Sequence, residues 1–180
     1  APAGKIVFSC FVFGLGDASI VFIGTVLLEK GLVPSWFIFS LGAGALFVRT
    51  AGRNLFNRYQ RTVFAGPSFL VMALCLLGLA FADSSLGLVF WGFFYGMGMG
   101  YGYPAHLALT ADLAAPRLRA KASALVHFSM DLSWFILPLY MGFGCTLLGT
   151  RQAFLLFTLI CIVTAVMTTV MWLPGKKGRV

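Results

Sequence analysis

The chain has 180 residues, of which 60% are hydrophobic and only 10% are charged, and its formal net charge is +8. A soluble domain carries about 25% charged residues, so this composition excludes an ordinary water-soluble fold and indicates an integral membrane protein in a lipid bilayer. The basic residues lie between apolar runs and form no basic face that could follow a phosphate backbone, which argues against a nucleic-acid partner.

Six apolar runs predict an all-α protein that crosses the membrane six times. A bilayer core of about 30 Å needs roughly 20 apolar residues per helix. The predicted spans are residues 6–28, 34–49, 63–82, 86–109, 122–144 and 152–173. The second run is short, and we expect it to extend toward Arg53 with arginine side chains reaching the interface. The connections are brief, so the sequence predicts one six-helix domain over residues 1–180.

The distribution of basic residues predicts the orientation of the spans. Eleven of the 13 Lys and Arg residues precede the first span, follow the last, or lie in the loops after the second and fourth spans. The opposite side has only Lys30 and Arg151. By the positive-inside rule, both termini are expected in the cytoplasm, with the protein in a bacterial inner membrane or a plasma membrane.

The first predicted span contains an acid at bilayer depth. Asp17 lies about eleven residues from each end of the run, where an ionised carboxylate costs roughly 2.5–3.5 kcal/mol on insertion scales. Burial disfavours the charged form, so we expect this carboxyl group to exchange protons in a transport pathway. A structural aspartate bonded to a neighbouring helix is the alternative. The third and sixth spans contain no charged residue and are expected to be lipid-facing supports.

The fourth predicted span contains the run "GMGMGYGYPAH", residues 96–106. Its spacing and its apolar context do not fit a GxGxxG phosphate loop, which follows a strand. On a helix, the glycines form two small-residue stripes that allow close backbone approach, and the proline favours a bend. Tight packing alone is one interpretation, and a bent helix that lines a path is the other. The residues concerned are Gly92, Gly96, Gly98, Gly100, Gly102 and Pro104, with Tyr103 facing the path.

The fifth predicted span contains His127 and Asp131, which are four residues apart and share one helix face with Trp134. Three interpretations remain open: a hydrogen-bonded pair that secures packing, a proton relay or substrate contact, and half of a metal site. The four cysteines form no CxxC pair and indicate small buried side chains, so we expect neither a metal nor a cofactor.

Two loops resemble signatures of the major facilitator superfamily. The stretch "FVRTAGRNLFNRYQRT" is similar to its motif between the second and third helices, with Arg58 and Arg61 at basic positions and Asn57 at the acidic one. The stretch "GMGYGYPAHLALTADLAAPRLRAKASAL" is similar to its glycine-rich fourth helix, Tyr-Pro, terminal acid and basic entry to the next helix. The positions that match in this second stretch are Gly98, Gly100, Gly102, Tyr103, Pro104, Asp112, Pro116, Arg119 and Ala122.

The resemblance implies half of a twelve-helix transporter fold, most similar to the C-terminal half, with substrate bound between the halves. It implies that the first, second, fourth and fifth spans line a cavity, and that the basic loops break and re-form contacts during alternating access. The switch residues that it implies are Asn57, Arg58, Arg61, Asp112 and Arg119. The missing N-terminal half, a second copy or another membrane subunit would complete the structure.

We therefore expect a secondary active transporter, or its C-terminal half, that moves a small solute and couples it to protons. Asp17, His127 and Asp131 are the expected proton or substrate groups, with Trp134 and Tyr103 beside them. A non-transporting membrane subunit built on the same half-fold is the alternative. An intramembrane enzyme is disfavoured, because few acids lie at depth and we predict no catalytic residues.

Overall fold

A computed structural model describes residues 2–52 and 59–172, which form seven α-helices and one short 3₁₀ turn without any strand. The predicted switch residues Asn57 and Arg58 lie outside these residues. The 3₁₀ turn is Pro116–Leu118. The helices are α1 (Pro2–Ala18), α2 (Ile20–Glu29), α3 (Ser35–Thr50), α4 (Thr62–Phe81), α5 (Ser85–Leu113), α6 (Arg119–Leu148) and α7 (Thr150–Trp172).

The first predicted span forms α1 and α2, which meet at the turn residue Ser19. The backbone of Ser19 is helical, its N–H bonds to the carbonyl oxygen of Leu15 at 3.2 Å and its own carbonyl accepts from the Ile23 N–H at 3.0 Å, so the apolar segment Ala3–Glu29 is continuous. At this junction the backbone carbonyl of Gly16 accepts a hydrogen bond from Ser19 Oγ at 2.7 Å and a second from the hydroxyl of Tyr95, which is fully buried on α5. The junction between α1 and α2 is therefore held by a side chain distant in sequence.

Within the described residues, four segments are long and apolar enough to cross a membrane: Ala3–Glu29, Thr62–Phe81, Pro116–Leu148 and Thr150–Trp172. The predicted second span is the shorter apolar helix α3, with 16 residues. The predicted fourth span forms the 29-residue helix α5, whose many glycines and tyrosines lower its hydropathy. A multi-pass helical membrane protein follows from these elements, whereas the count of six spans and the sidedness of the termini stay predictions.

Helix α5 is the central element, because it packs against α3 on one side and α4 on another. A Cβ added to Gly96 would lie 2.0 Å from the carbonyl oxygen of Leu41 on α3. A Cβ on Gly98 would lie 2.7 Å from the carbonyl oxygen of Ser68 on α4. The two glycine stripes thus face different neighbouring helices, and α5 continues as one helix through Pro104.

Helix α6 contacts mainly α1, and to a lesser extent α7 and α5. Only 17% of its most apolar stretch is buried within the protein, against 33% to 56% for the other three long apolar segments. Helix α4, in contrast, packs against both α5 and α7. The half of the molecule around α1 and α6 therefore presents a largely uncovered helix.

Candidate functional site

A hydrogen bond between α1 and α6 joins two of the predicted site residues. Trp134 Nε1 on α6 donates to Asp17 Oδ2 on α1 across 3.2 Å. The other carboxylate oxygen, Asp17 Oδ1, is buried and has no hydrogen-bond partner among the described residues. The indole of Trp134 is 41% exposed, so it covers the acid while remaining open to the surroundings.

The close approach of α1 and α6 positions this pair. Ser133, next to Trp134 on α6, donates from its hydroxyl to the carbonyl oxygen of Phe11 at 2.7 Å. A Cβ on Gly14 would lie 2.8 Å from Ser133 Oγ, so only glycine allows the two helices to meet at this distance. Asp17 also lies two residues before the junction of α1 and α2 at Ser19, well inside the apolar segment Ala3–Glu29.

The structure brings Tyr103 of α5 against His127 of α6, with ring centroids 6.4 Å apart and the planes stacked at 15°. Both side chains are exposed, as is Asp131 one turn further along α6. In the described residues, no hydrogen bond joins His127 to Asp131, and no three His, Cys, Asp or Glu side chains converge as metal ligands would. The predicted pathway residues thus form two inter-helix contacts and one unpaired acid.

The acidic and basic side chains well inside the long apolar segments of α1 and α6 are Asp17, Asp131 and His127, with no Lys or Arg among them. Within the described ranges, every Lys and Arg lies in a connection or in the first or last turn of a helix. Asp17 and Asp131, by contrast, lie well inside the long apolar segments. In the described residues, the contact region of α1 and α6 therefore carries acidic and aromatic side chains, and no Lys or Arg lies at the centre of either helix.

The predicted switch residues Arg61 and Asp112 form an ion pair between the start of α4 and the end of α5. Arg61 Nη1 also donates to the carbonyl oxygen of Ala108 at 3.2 Å, so the guanidinium lies against the C-terminal turn of α5. A cation is favourable at this helix end, where carbonyls are unpaired. Arg119 lies exposed at the start of α6 and makes no ion pair among the described residues.

One buried network was missed from the sequence. His106, fully buried on α5, has its Nδ1 2.8 Å from the carbonyl oxygen of Gly102 and its Nε2 2.8 Å from Ser9 Oγ. A carbonyl only accepts, so Nδ1 carries the proton and Nε2 accepts from Ser9. Trp172 Nε1 then donates to Ser9 Oγ at 3.2 Å. Both ring nitrogens are satisfied, so this histidine connects α1, α5 and α7 rather than lining a path.

Lys30 is a second residue whose role was not evident from the sequence. Its ammonium donates to the carbonyl oxygens of Ala80 at 2.7 Å, Ala82 at 2.9 Å and Leu79 at 3.3 Å, and it lies 3.8 Å from Asp83. These carbonyls lie at the C-terminal end of α4, where the last carbonyls of a helix lack intrahelical partners, and the Leu79 carbonyl also accepts from the Ala82 N–H at 3.3 Å. Lys30 therefore caps a helix, and no local motif marks it because its partners are about 50 residues away.

Comparison with known proteins supplies two similarities. The family model described as Major Facilitator Superfamily matches residues 6–179. The chain is also 29% identical over 119 residues to a protein named apicoplast pyruvate carrier 2 from Toxoplasma gondii. That alignment covers 66% of this chain and 18% of the relative, so the chain spans only a small part of the relative's length.

Proposed function

Because the chain belongs to the Major Facilitator Superfamily, a superfamily of membrane transporters, we propose that it forms part of a secondary active transporter that couples a small solute to protons by alternating access. The observation that carries this proposal is the Asp17–Trp134 hydrogen bond. It places an acid inside a membrane-spanning segment and against an exposed aromatic side chain.

Asp17 is the proposed proton carrier. Its Oδ1 is buried without a partner among the described residues, and leaving a buried oxygen unpaired costs on the order of 1–3 kcal/mol, more when the group is charged. A proton on the carboxyl group removes the charge and with it the larger cost of burying an ion. The protein can change between its two membrane-facing states more easily when this carboxyl group is neutral than when it is ionised. A proton-coupled carrier requires this difference.

The proposed substrate class is a small monocarboxylate, since the relative is named a pyruvate carrier. A carboxylate about 4 Å from ionised Asp17 would meet a repulsion of roughly 4 kcal/mol at an effective dielectric of about 20. Protonation of Asp17 removes that repulsion. The anion and the proton then favour each other's binding, so the pair moves as a neutral unit and a proton gradient can drive uptake.

The uncovered face of α6 supports a second, missing half as the structural partner. Asp131 and His127 are exposed near the middle of a spanning segment, and ionisable groups at that depth require protein or a water-filled cavity rather than lipid. A second copy of the chain, or another membrane subunit, would satisfy the same requirement. The intact mass of the native protein before and after denaturation separates these partners: a single chain about twice as long supports the two-half arrangement.

The proposed conformational switch is the ion pair between Arg61 and Asp112. It joins the ends of α4 and α5 through two side chains that are 41% and 56% exposed, so the pair can break at little cost in solvation. A contact that forms in one state and opens in the other is suited to bias an alternating-access equilibrium.

The test uses the full-length protein in liposomes with radiolabelled pyruvate. Asp17→Asn should exchange pyruvate across the membrane but lose accumulation driven by a pH gradient, because Asn carries no exchangeable proton. Asp83→Asn is the matched control, since Asp83 is an exposed acid in a connection. Full pH-driven accumulation by Asp17→Asn would remove this residue from the mechanism. No uptake by folded wild-type protein, with a stable hetero-complex, would favour the non-transporting subunit.

A further inference from the structure

The contact between Trp134 and Asp17 suggests how substrate and proton are linked. Resting on the proposed function, we propose that the indole N–H of Trp134 is a substrate contact that changes acceptor: it donates to Asp17 while that carboxylate is ionised, and to the carboxylate of a monocarboxylate substrate once Asp17 is protonated. The protonation of Asp17 thereby makes the Trp134 N–H available to the substrate.

The geometry makes this exchange feasible. An indole offers a single N–H, so one strong acceptor at a time can use it. Here that acceptor is Asp17 Oδ2 at 3.2 Å, while Oδ1 is buried. A solute that reaches Trp134, which is 41% exposed, therefore comes next to the hydrogen bond to Asp17 Oδ2.

The chemistry of the exchange favours an anion. A charged acceptor forms a stronger hydrogen bond than a neutral one, so the ionised carboxylate of Asp17 holds the indole N–H and the protonated carboxyl releases it. The only negative group left near the indole is then the substrate's carboxylate. The proton adds to Asp17, the N–H proton stays on the indole, and no covalent bond to carbon changes.

The neighbouring polar groups leave this role to Trp134. Lys and Arg side chains in the described ranges lie at helix ends or in connections, so they do not supply a donor at the level of Asp17. His127 is stacked on Tyr103, with the ring centroids 6.4 Å apart, and contacts a different part of the face. An organic ammonium solute would instead bind the ionised acid and the indole ring, and protons would then compete with it.

The decisive experiment measures the KM for pyruvate in liposomes containing the full-length protein with Trp134→Phe, with and without Asp17→Asn. Losing one hydrogen bond to a charged acceptor should raise KM roughly 10- to 100-fold. Because Asn also releases the indole, Asp17→Asn should make KM independent of pH, and adding Trp134→Phe to it should still raise KM by at least about tenfold. Trp36→Phe is the control, since this exposed indole makes no hydrogen bond among the described residues.

The outcomes separate the inference from the function on which it rests. Pyruvate uptake that is absent at every pH in wild type overturns the proposed function. Proton-coupled uptake with an unchanged KM in Trp134→Phe overturns only the inference. If the effect of Trp134→Phe vanishes in the Asp17→Asn background, Trp134 merely positions Asp17 and does not touch substrate. Tighter binding of an organic ammonium than of pyruvate overturns the anion assignment.

A measurement that keeps Trp134 in place protects the test against a Trp134→Phe variant that does not fold. In protein labelled with ¹⁵N at its indoles, one N–H resonance should shift both in Asp17→Asn and on addition of pyruvate at low pH. An indole resonance that responds to both supports the exchange. The absence of any resonance with this double response overturns it.

Discussion

The contact between α3 and α5 provides a quantitative test of the packing. A Cβ on Gly44 would lie 2.0 Å from the carbonyl oxygen of Phe93, whereas ordinary contact begins at 3.4 Å. The obstacle is backbone on a central helix, so no side-chain rotation relieves it, and Gly44→Ala must separate the two helices. Gly42, two residues earlier on α3, has nothing within 4 Å of its added Cβ and supplies a matched control.

The two substitutions should have opposite effects on stability. Overpacking typically costs about 1–3 kcal/mol, and a backbone obstacle places Gly44→Ala at the upper end of that range. Both alanines gain up to about 1 kcal/mol in helix propensity. The net expectation is a loss of about 2 kcal/mol for Gly44→Ala and a gain of up to about 1 kcal/mol for Gly42→Ala.

The assay is the thermal stability of each variant in the same detergent, read as the fraction that remains monodisperse after heating. For a chain of this size, about 2 kcal/mol corresponds to a lower midpoint by roughly 4–8 °C. Gly42→Ala should equal or exceed wild type. If Gly44→Ala were as stable as Gly42→Ala, the close approach of α3 and α5 would be wrong.

Three further predictions concern charged and polar contacts. Lys30→Met should lower the thermal midpoint by several degrees, because it removes three charge-assisted bonds worth roughly 1.5–3 kcal/mol in total, while Arg151→Met, at an exposed position, should change it little. His106→Leu should destabilise the protein by about 1–3 kcal/mol by leaving the buried Ser9 hydroxyl without its acceptor, yet keep the shape of the transport pH profile; a changed profile would contradict a purely structural histidine. Arg61→Asp and Asp112→Arg should each slow pyruvate uptake and recover it when combined, and an uptake rate unaffected by either single change would exclude the switch.

The helical class and most helix positions could be predicted because lipid requires every backbone polar group to be satisfied within its own helix. An apolar run therefore predicts a helix almost regardless of its partners. The contact between Ser19 and Tyr95 could not be predicted this way, since the two residues are 76 positions apart. Likewise, Lys30 looked like an exception to a charge rule, and only the fold shows that it contacts the carbonyls ending α4.

The candidate site was predictable in composition but not in connectivity. Asp17 and Trp134 could each be chosen as unusual residues in apolar runs, yet their contact depends on Gly14 allowing α1 and α6 to approach. His127 and Asp131 share a helix face, as their spacing predicts, but the nearest ring to His127 is Tyr103 on another helix. Spacing along one helix therefore identified the face and not the pairs within it.

The contrast between His106 and Asp17 explains why transport chemistry is assigned to only one of them. Both are ionisable residues within long stretches of helix, and both contact another helix. Both ring nitrogens of His106 are satisfied from inside the protein, so a proton arriving at Nε2 would take the acceptor away from the Ser9 hydroxyl and place a charge in a fully buried site. Asp17 has one carboxylate oxygen bonded to an exposed indole and the other without a partner among the described residues. A proton arriving at Asp17 removes its charge and weakens the bond from the indole N–H, so binding one species prepares the site for the other.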